Sequence, residues 1–359
     1  MLFNSLEFII FLALVFLIYW KLNRARQNLF ILAVSYIFYG WWDWRFLFLI
    51  FISSAISFLL GKKIHNADDT KRRKIYLTIN IISSLGILGF FKYFNFFVSS
   101  LQELFMSIGA APISVTTLSI ILPVGISFYT FKELSYAIDV YRRKLPASSN
   151  FIEFLAFVSF FPQLIAGPID RAQNFLVQFA QERIFKIEEA IDGCRQMLWG
   201  FFKKIVIADI LAIAVNNTYN NLSNVSGNQL LVATFFFAFQ LYADFSGYSD
   251  IAIGTAKLFG FKLMRNFSYP YFSRNIEEFW RRWHISLSTW LRDYLYYPLV
   301  FSRKNKTKSW IYLSTLITFV LIGLWHGAGW NYIFMGAIFG FYLVLGLIIK
   351  DIKKKFKIF

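Results

Sequence analysis

Charge and cysteine are what this 359-residue chain has least of. Only 16% of its residues are charged, against about 25% in an average soluble domain. With 57% hydrophobic and 21% aromatic residues, that much apolar surface cannot be hidden in one soluble core, so lipid is the expected solvent for much of the chain. The single cysteine, Cys194, excludes an internal disulfide and a cysteine metal cluster, because both need partners, and it reads as a small buried apolar residue. No basic residue precedes the first apolar segment and no small-x-small cleavage site follows it, so a first spanning helix is expected there in place of a signal peptide. No inverted internal repeat is visible, which weighs against a secondary transporter.

What is present is a series of apolar runs. A spanning helix needs roughly 20 mostly apolar residues to cross a hydrocarbon core about 30 Å thick, with every backbone group bonded inside the segment. Residues 2–20, 28–41, 46–60, 75–99, 118–140, 151–169, 194–215, 230–259, 310–325 and 332–349 are candidates. Several are short or carry Pro or polar residues, so re-entrant and interfacial pieces are expected among them. The fold class read from this pattern is all-α: a polytopic integral membrane protein of one domain, 1–359, with about ten hydrophobic helices plus re-entrant and amphipathic ones.

A net charge of +17 would suggest nucleic acid in a soluble protein, but its distribution points elsewhere. Basic residues gather at segment ends: Lys21, Arg24 and Arg26; Lys62, Lys63 and Lys71 to Lys74; Arg142, Arg143 and Lys144; Arg303, Lys304, Lys306 and Lys308; Lys353, Lys354, Lys355 and Lys357. Short loops rich in Lys and Arg stay cytoplasmic, which puts the first loop inside and the N-terminus outside. Two more crossings reach the basic loop at 61–74, as the rule requires. Such a face would also attract anionic lipid headgroups, an acidic carrier protein or the phosphates of an acyl-CoA, although the topology rule accounts for the charges without them.

Between 273 and 298, Ile276, Phe279, Trp280, Trp283, Leu287, Trp290, Leu291 and Leu295 recur at helical spacing, with Arg281, Arg282, Ser288 and Arg292 mainly elsewhere. The charges are too many for a lipid-facing span, so one amphipathic helix lying in the interface or entering the protein from the cytoplasmic side is expected, N-capped by Ser273 or Asn275. Of three histidines, His65 in KKIHNADDTKRRK reads as an exposed loop residue. His326 in GLWHGAGWNY ends one apolar segment just before another, and a titratable group at membrane depth usually faces an interior cavity. Gly327 and Gly329 remove bulk beside it, so a substrate chain could approach; a packed histidine bonded to a carbonyl is the alternative. His284, in FWRRWHISLSTW, lies on the aromatic seam of the amphipathic segment and could meet His326 across helices. With no cysteine partner and no third placed histidine, acid–base chemistry is expected at the pair and a metal is not.

At these residues the sequence resembles the membrane-bound O-acyltransferase family, in particular its bacterial branch of alginate and peptidoglycan O-acetylation and teichoic acid D-alanylation. The matching stretches are SYIFYGWWDWRF, LPVGISFYTFKELSYAIDVYR, FVSFFPQLIAGPIDR, QLYADFSGYSDIAIG, NFSYPYFSRNIEEFWRRWHISLSTWLRDYLYYPL and LWHGAGWNYIFMG, collinear over nearly the whole chain. The resemblance implies helices around a tunnel through which an acyl group, most plausibly acetyl, passes from an intracellular thioester to an acceptor hydroxyl outside. It assigns the family's near-invariant histidine to His326 and its second conserved polar position to His284. Alginate-type members continue beyond the point where this chain ends, so it is expected either as a short form or as one lacking C-terminal helices.

On this reading His326 takes the proton of the acceptor hydroxyl, and His284 orients the acceptor or bonds the developing oxyanion. Asp244, Ser246 and Tyr248 in YADFSGY are tunnel-lining candidates, with a structural network between helices as the alternative. Trp325 and Asn331, flanking His326, complete that set. Arg281 and Arg282 could hold donor phosphates or lipid headgroups. No bound cofactor is expected; acyl-CoA or an acyl carrier protein is the donor substrate. Expected partners are membrane lipids and an extracytoplasmic acyltransferase or relay protein, with no nucleic acid, and the expected place is the bacterial cytoplasmic (inner) membrane. The competing readings are a transporter or flippase, and a scaffold for an acylation complex that makes no bonds itself.

Overall fold

A computed structural model of the chain describes residues 1–109, 117–305 and 307–356; Lys306 and Lys357 of the basic clusters lie outside them. All regular structure among the described residues is helical. The helices are α1 Leu6–Tyr19, α2 Arg24–Gly40, α3 Arg45–Asn66, α4 Thr70–Ser107, α5 Ile126–Tyr141, α6 Phe151–Ser159, α7 Phe161–Leu164, α8 Ala172–Phe179, α9 Ile187–Phe201, α10 Asp209–Tyr219, α11 Gly227–Leu258, α12 Ile276–Arg282, α13 Ile285–Leu291, α14 Tyr297–Phe301, α15 Lys308–His326 and α16 Trp330–Phe356.

Five of these, α3, α4, α11, α15 and α16, are long and apolar enough to cross a membrane, where the sequence suggested about ten hydrophobic helices. The other apolar runs fold as shorter or broken pieces for identifiable reasons. At 14 residues α1 reaches only about 21 Å. The 151–169 run breaks at Phe160, ahead of Pro162, and the 194–215 run changes to a π-helix over Phe202–Ala208. Within 118–140 only α5 is helical, and nearly all its side chains are buried against protein. Its charges explain why: Glu133 accepts from Ser53 at 2.6 Å and Ser54 at 3.1 Å, Lys132 donates to the Phe157 carbonyl at 2.9 Å, and Asp139 accepts from the Tyr294 hydroxyl at 2.7 Å. A helix with such groups is satisfied by neighbouring helices and not by lipid.

The outward surface is apolar. On α1, Phe8, Leu12, Val15 and Tyr19 point inward while Leu6, Ile9, Ile10, Leu14 and Leu17 are exposed, and similar apolar faces run along α4 and α11. A belt of this extent fits a hydrocarbon surround. Inside, the core is aromatic: Phe160, Phe175, Phe179 and Phe261 meet at 4.7–6.0 Å between ring centroids, and the Arg183 guanidinium covers Phe261 at 4.9 Å.

Two expectations change. His65 lies in the last turn of α3, half-buried, and its carbonyl accepts from Arg143 at 2.7 Å, because α3 continues to Asn66 before Asp69 caps α4. Cys194 is exposed, because the inward face of α9 is formed by Ala190, Gly193, Met197 and Gly200, where the backbone approaches α11 closely.

Candidate active site

The expected single amphipathic helix over 273–298 is broken at its centre. Asn275, not Ser273, caps α12, its side chain accepting from the Glu278 N–H at 2.9 Å. The Arg274 backbone N–H and guanidinium, with Arg282, hold the Glu278 carboxyl down at about 2. The chain then turns extended at Trp283 and left-handed at His284, with φ 42° and ψ 55°, before α13 begins. A left-handed non-glycine residue costs on the order of 1–3 kcal/mol and persists only where its surroundings hold it.

Here the irregular segment 265–268 supplies that hold. The Ile285 N–H donates to the Asn266 carbonyl at 2.8 Å, and the Ser268 N–H to the Arg282 carbonyl at 2.9 Å. The Asn266 side-chain oxygen accepts from the Ser286 hydroxyl at 2.9 Å and the Ser286 N–H at 3.3 Å, while its amide donates to Ser249 on α11 at 3.1 Å. Asn266 is fully buried. Its role is invisible in helical periodicity; the break between Trp283 and Ile285 has no glycine or proline to announce it.

His284 is 1% exposed and sits edge-on to Phe245 at 4.7 Å, near Phe267 at 6.4 Å and Trp325 at 5.6 Å. Neither ring nitrogen has a hydrogen-bond partner among the described residues, whereas most buried polar groups have one. His326 is different: it ends α15, is followed by extended Gly327, and is an exposed residue. The Trp325 and His326 rings lie 4.9 Å apart. One indole thus touches both imidazoles. The indole is fixed from behind by Phe131, 6.0 Å away and nearly parallel, which stacks in turn on Trp290 at 4.2 Å.

The hairpin carrying His326 is tight because Gly323 and Gly336 let α15 and α16 touch backbone to backbone. Gly327 makes room for the Tyr332 ring and Gly329 for the Asn331 side chain, so these glycines serve the turn itself rather than leaving space for a substrate, as expected from sequence. His326 makes no hydrogen bond to a carbonyl among the described residues. α4 braces the same turn: Lys92 donates to the Trp325 carbonyl, Tyr93 to the Leu324 carbonyl at 2.9 Å, and Trp330 donates to Ser100 at 3.1 Å. The sequence reading passed over Lys92, although a lone lysine inside the apolar run GFFKYFNFF was a readable signal.

The remaining candidates lie apart from the histidines. Asp244 pairs with Lys204 at 2.7 Å, which also holds Asp209 at 2.7 Å. Ser246 accepts from Lys203 at 3.0 Å, and Tyr248 lies 5.3 Å beneath the Lys204 ammonium. These three form a partnered network where α11 meets the Phe202–Ala208 π-helix, and Phe245 is the α11 residue that meets His284. Arg281 pairs with Glu277 at 3.2 Å and Arg282 with Glu278 at 2.5 Å on α12; Asn331 is exposed at the start of α16.

In this helical membrane protein two imidazoles gather on one indole, an arrangement that is a candidate for acid–base chemistry within an apolar fold. The sequence from 140 to 359 matches the model of the membrane-bound O-acyltransferase family, and the chain belongs to that family. It is 43% identical over 347 residues to the probable alginate O-acetylase of Pseudomonas aeruginosa, covering 96% of this chain and 66% of that one. It is 35% identical over 373 residues to the peptidoglycan O-acetyltransferase of Helicobacter pylori, covering 95% and 69%. It is 33% identical over 226 residues to the teichoic acid D-alanyltransferase of Bacillus subtilis, covering 59% and 55%. The chain spans about two thirds of the length of the first two relatives.

Proposed function

We propose that this protein transfers an acyl group, acetyl in the first instance, from a cytoplasmic thioester to a hydroxyl of an extracytoplasmic polysaccharide or other envelope polymer, directly or through a relay partner. The observation that carries this reading is the pairing of a sealed, unpartnered His284 with an exposed His326 on one indole. The names of the relatives, which act on alginate, peptidoglycan and teichoic acid, support the acceptor class. The protein is a multi-pass component of the bacterial cytoplasmic membrane with its N-terminus outside. In that orientation α15 runs outward from Lys308, about 28 Å over its 19 residues, and carries His326 to its outer end.

His326 is the general base. Its ring accepts the proton of the acceptor hydroxyl as the oxygen bonds to the acyl carbon; when the C–S bond breaks, the proton passes to the leaving thiolate. His284, held in an aromatic pocket, orients the acceptor through one of its two ring nitrogens, neither of which is bonded by a described residue. Arg281 and Arg282 meet the phosphates of an acyl-CoA or the acidic face of an acyl carrier protein. The test is transfer of label from an acetyl thioester to envelope polymer, in membranes containing the wild type or His326→Ala at matched levels. Loss of about a hundredfold or more supports the base assignment; an unimpaired variant overturns it.

A further inference from the structure

Lys92 is the ionisable group beside the histidines that this mechanism leaves unused. It lies within α4, a helix of spanning length, where a charge is costly and marks a site or a pathway. Its ammonium donates to the Trp325 carbonyl, the peptide group joined to His326, and to the Ser127 hydroxyl at 3.4 Å, and stands 5.6 Å from the centre of the Trp325 ring. Its neighbour Tyr93 bonds the preceding carbonyl, that of Leu324, at 2.9 Å. Both carbonyls belong to the last turn of α15, where no helical N–H remains to meet them. Tyr93 demonstrates that a neutral hydroxyl is enough to cap such a carbonyl, so what a lysine adds is charge and a further N–H. An ammonium carries three donors, of which two are engaged, and among the described residues no carboxylate pairs with it. Among the described residues this positive group beside the base therefore keeps a free donor and has no counter-charge.

We propose that Lys92 is the oxyanion-binding residue of this centre, a cation fixed at the end of the His326 helix to receive negative charge from the acyl group. This rests on the acyl-transfer reading. As the acceptor oxygen bonds to the acyl carbon and its proton moves to His326, the carbonyl π pair shifts onto the carbonyl oxygen, which accepts a hydrogen bond from Lys92. On collapse the pair returns, the C–S bond breaks, and the thiolate leaves with the proton held by His326. A cation placed before the charge forms stabilises it without reorganisation, the more so in a low-dielectric site.

The experiment compares wild type, Lys92→Met, Lys92→Arg and Tyr93→Phe in membranes, reading kcat, acceptor KM and the thermal unfolding midpoint in detergent. Lys92→Met should lower kcat by about 100- to 1,000-fold with little change in KM, while unfolding no earlier than Tyr93→Phe. Lys92→Arg, which keeps the charge, should recover at least about tenfold of that loss. Tyr93→Phe, which removes a cap and no charge, should keep kcat within about threefold. If Lys92→Met turns over like the wild type, or if all three variants lose rate in step with their unfolding midpoints, Lys92 is a helix cap and the proposal is wrong. If the wild type transfers no label, the acyl-transfer reading fails and takes this inference with it; a wild type that transfers beside an unimpaired Lys92→Met removes the inference alone.

Discussion

Two of the polar clusters in this apolar protein are built in opposite ways. Where α11 meets the π-helix, Asp244 and Asp209 share Lys204, and Ser246 and Asp250 share Lys203. At the α12–α13 break and the α15–α16 turn, both nitrogens of His284 and the indole N–H of Trp325 have no partner among the described residues, and no described carboxylate pairs with Lys92. A satisfied network holds helices together, whereas an unsatisfied one is expensive in isolation and is retained where a ligand completes it. On the proposed mechanism this difference separates structural polarity from chemical polarity within one fold.

The comparison is most directly broken at His326. Replacing it by Ala should remove transfer by about a hundredfold or more while leaving the unfolding midpoint in place, since the residue is exposed and its side chain makes no hydrogen bond among the described residues. His284→Asn is next: asparagine tolerates the left-handed backbone, so the variant should fold normally yet lose about tenfold to a hundredfold in kcat. A variant that keeps its rate would move His284 into the structural class. Asn266→Ala strips the clamp from that backbone and should lower both rate, by about tenfold, and unfolding midpoint, by several degrees, since buried Ser249 and Ser286 lose their partner. In the partnered cluster the order reverses: Asp244→Asn should lower the midpoint by about 2–4 °C and change the rate by less than about threefold. A large loss of rate with an unchanged midpoint would restore Asp244 to the tunnel. The smallest effect is expected at Arg281→Ala, whose exposed pair with Glu277 contributes about 0.5 kcal/mol at most; its KM for an acyl-CoA donor should rise only severalfold with kcat constant.

Much of the candidate site was legible because its residues are anomalous in their surroundings. His326 ends an apolar run, and a charge or imidazole among Leu and Phe stands out in any reading of one sequence. Lys92, a lone ammonium in the apolar run GFFKYFNFF, carries the same signal. The acidic residue of YADFSGY also stood out, and that anomaly led to a partnered ion network and not to the histidines. Single-sequence reading shows that a polar group is buried; it cannot show whether another chain segment satisfies it.

Composition and apolar periodicity were enough to establish an all-helical membrane protein, because the hydrocarbon core demands internally bonded backbone over long apolar runs. Ordered motifs were enough to establish the family. The count of helices able to span, the break at His284 and the partners of each polar group were decided by tertiary structure. Helix-period apolar residues continue through 283–285, yet the chain bends there because Asn266, distant in helical register but adjacent in space, offers bonds that a continuous helix would forfeit. The single ring joining His284 to His326 likewise exists only once α12, α13 and the α15–α16 turn have packed around Trp325.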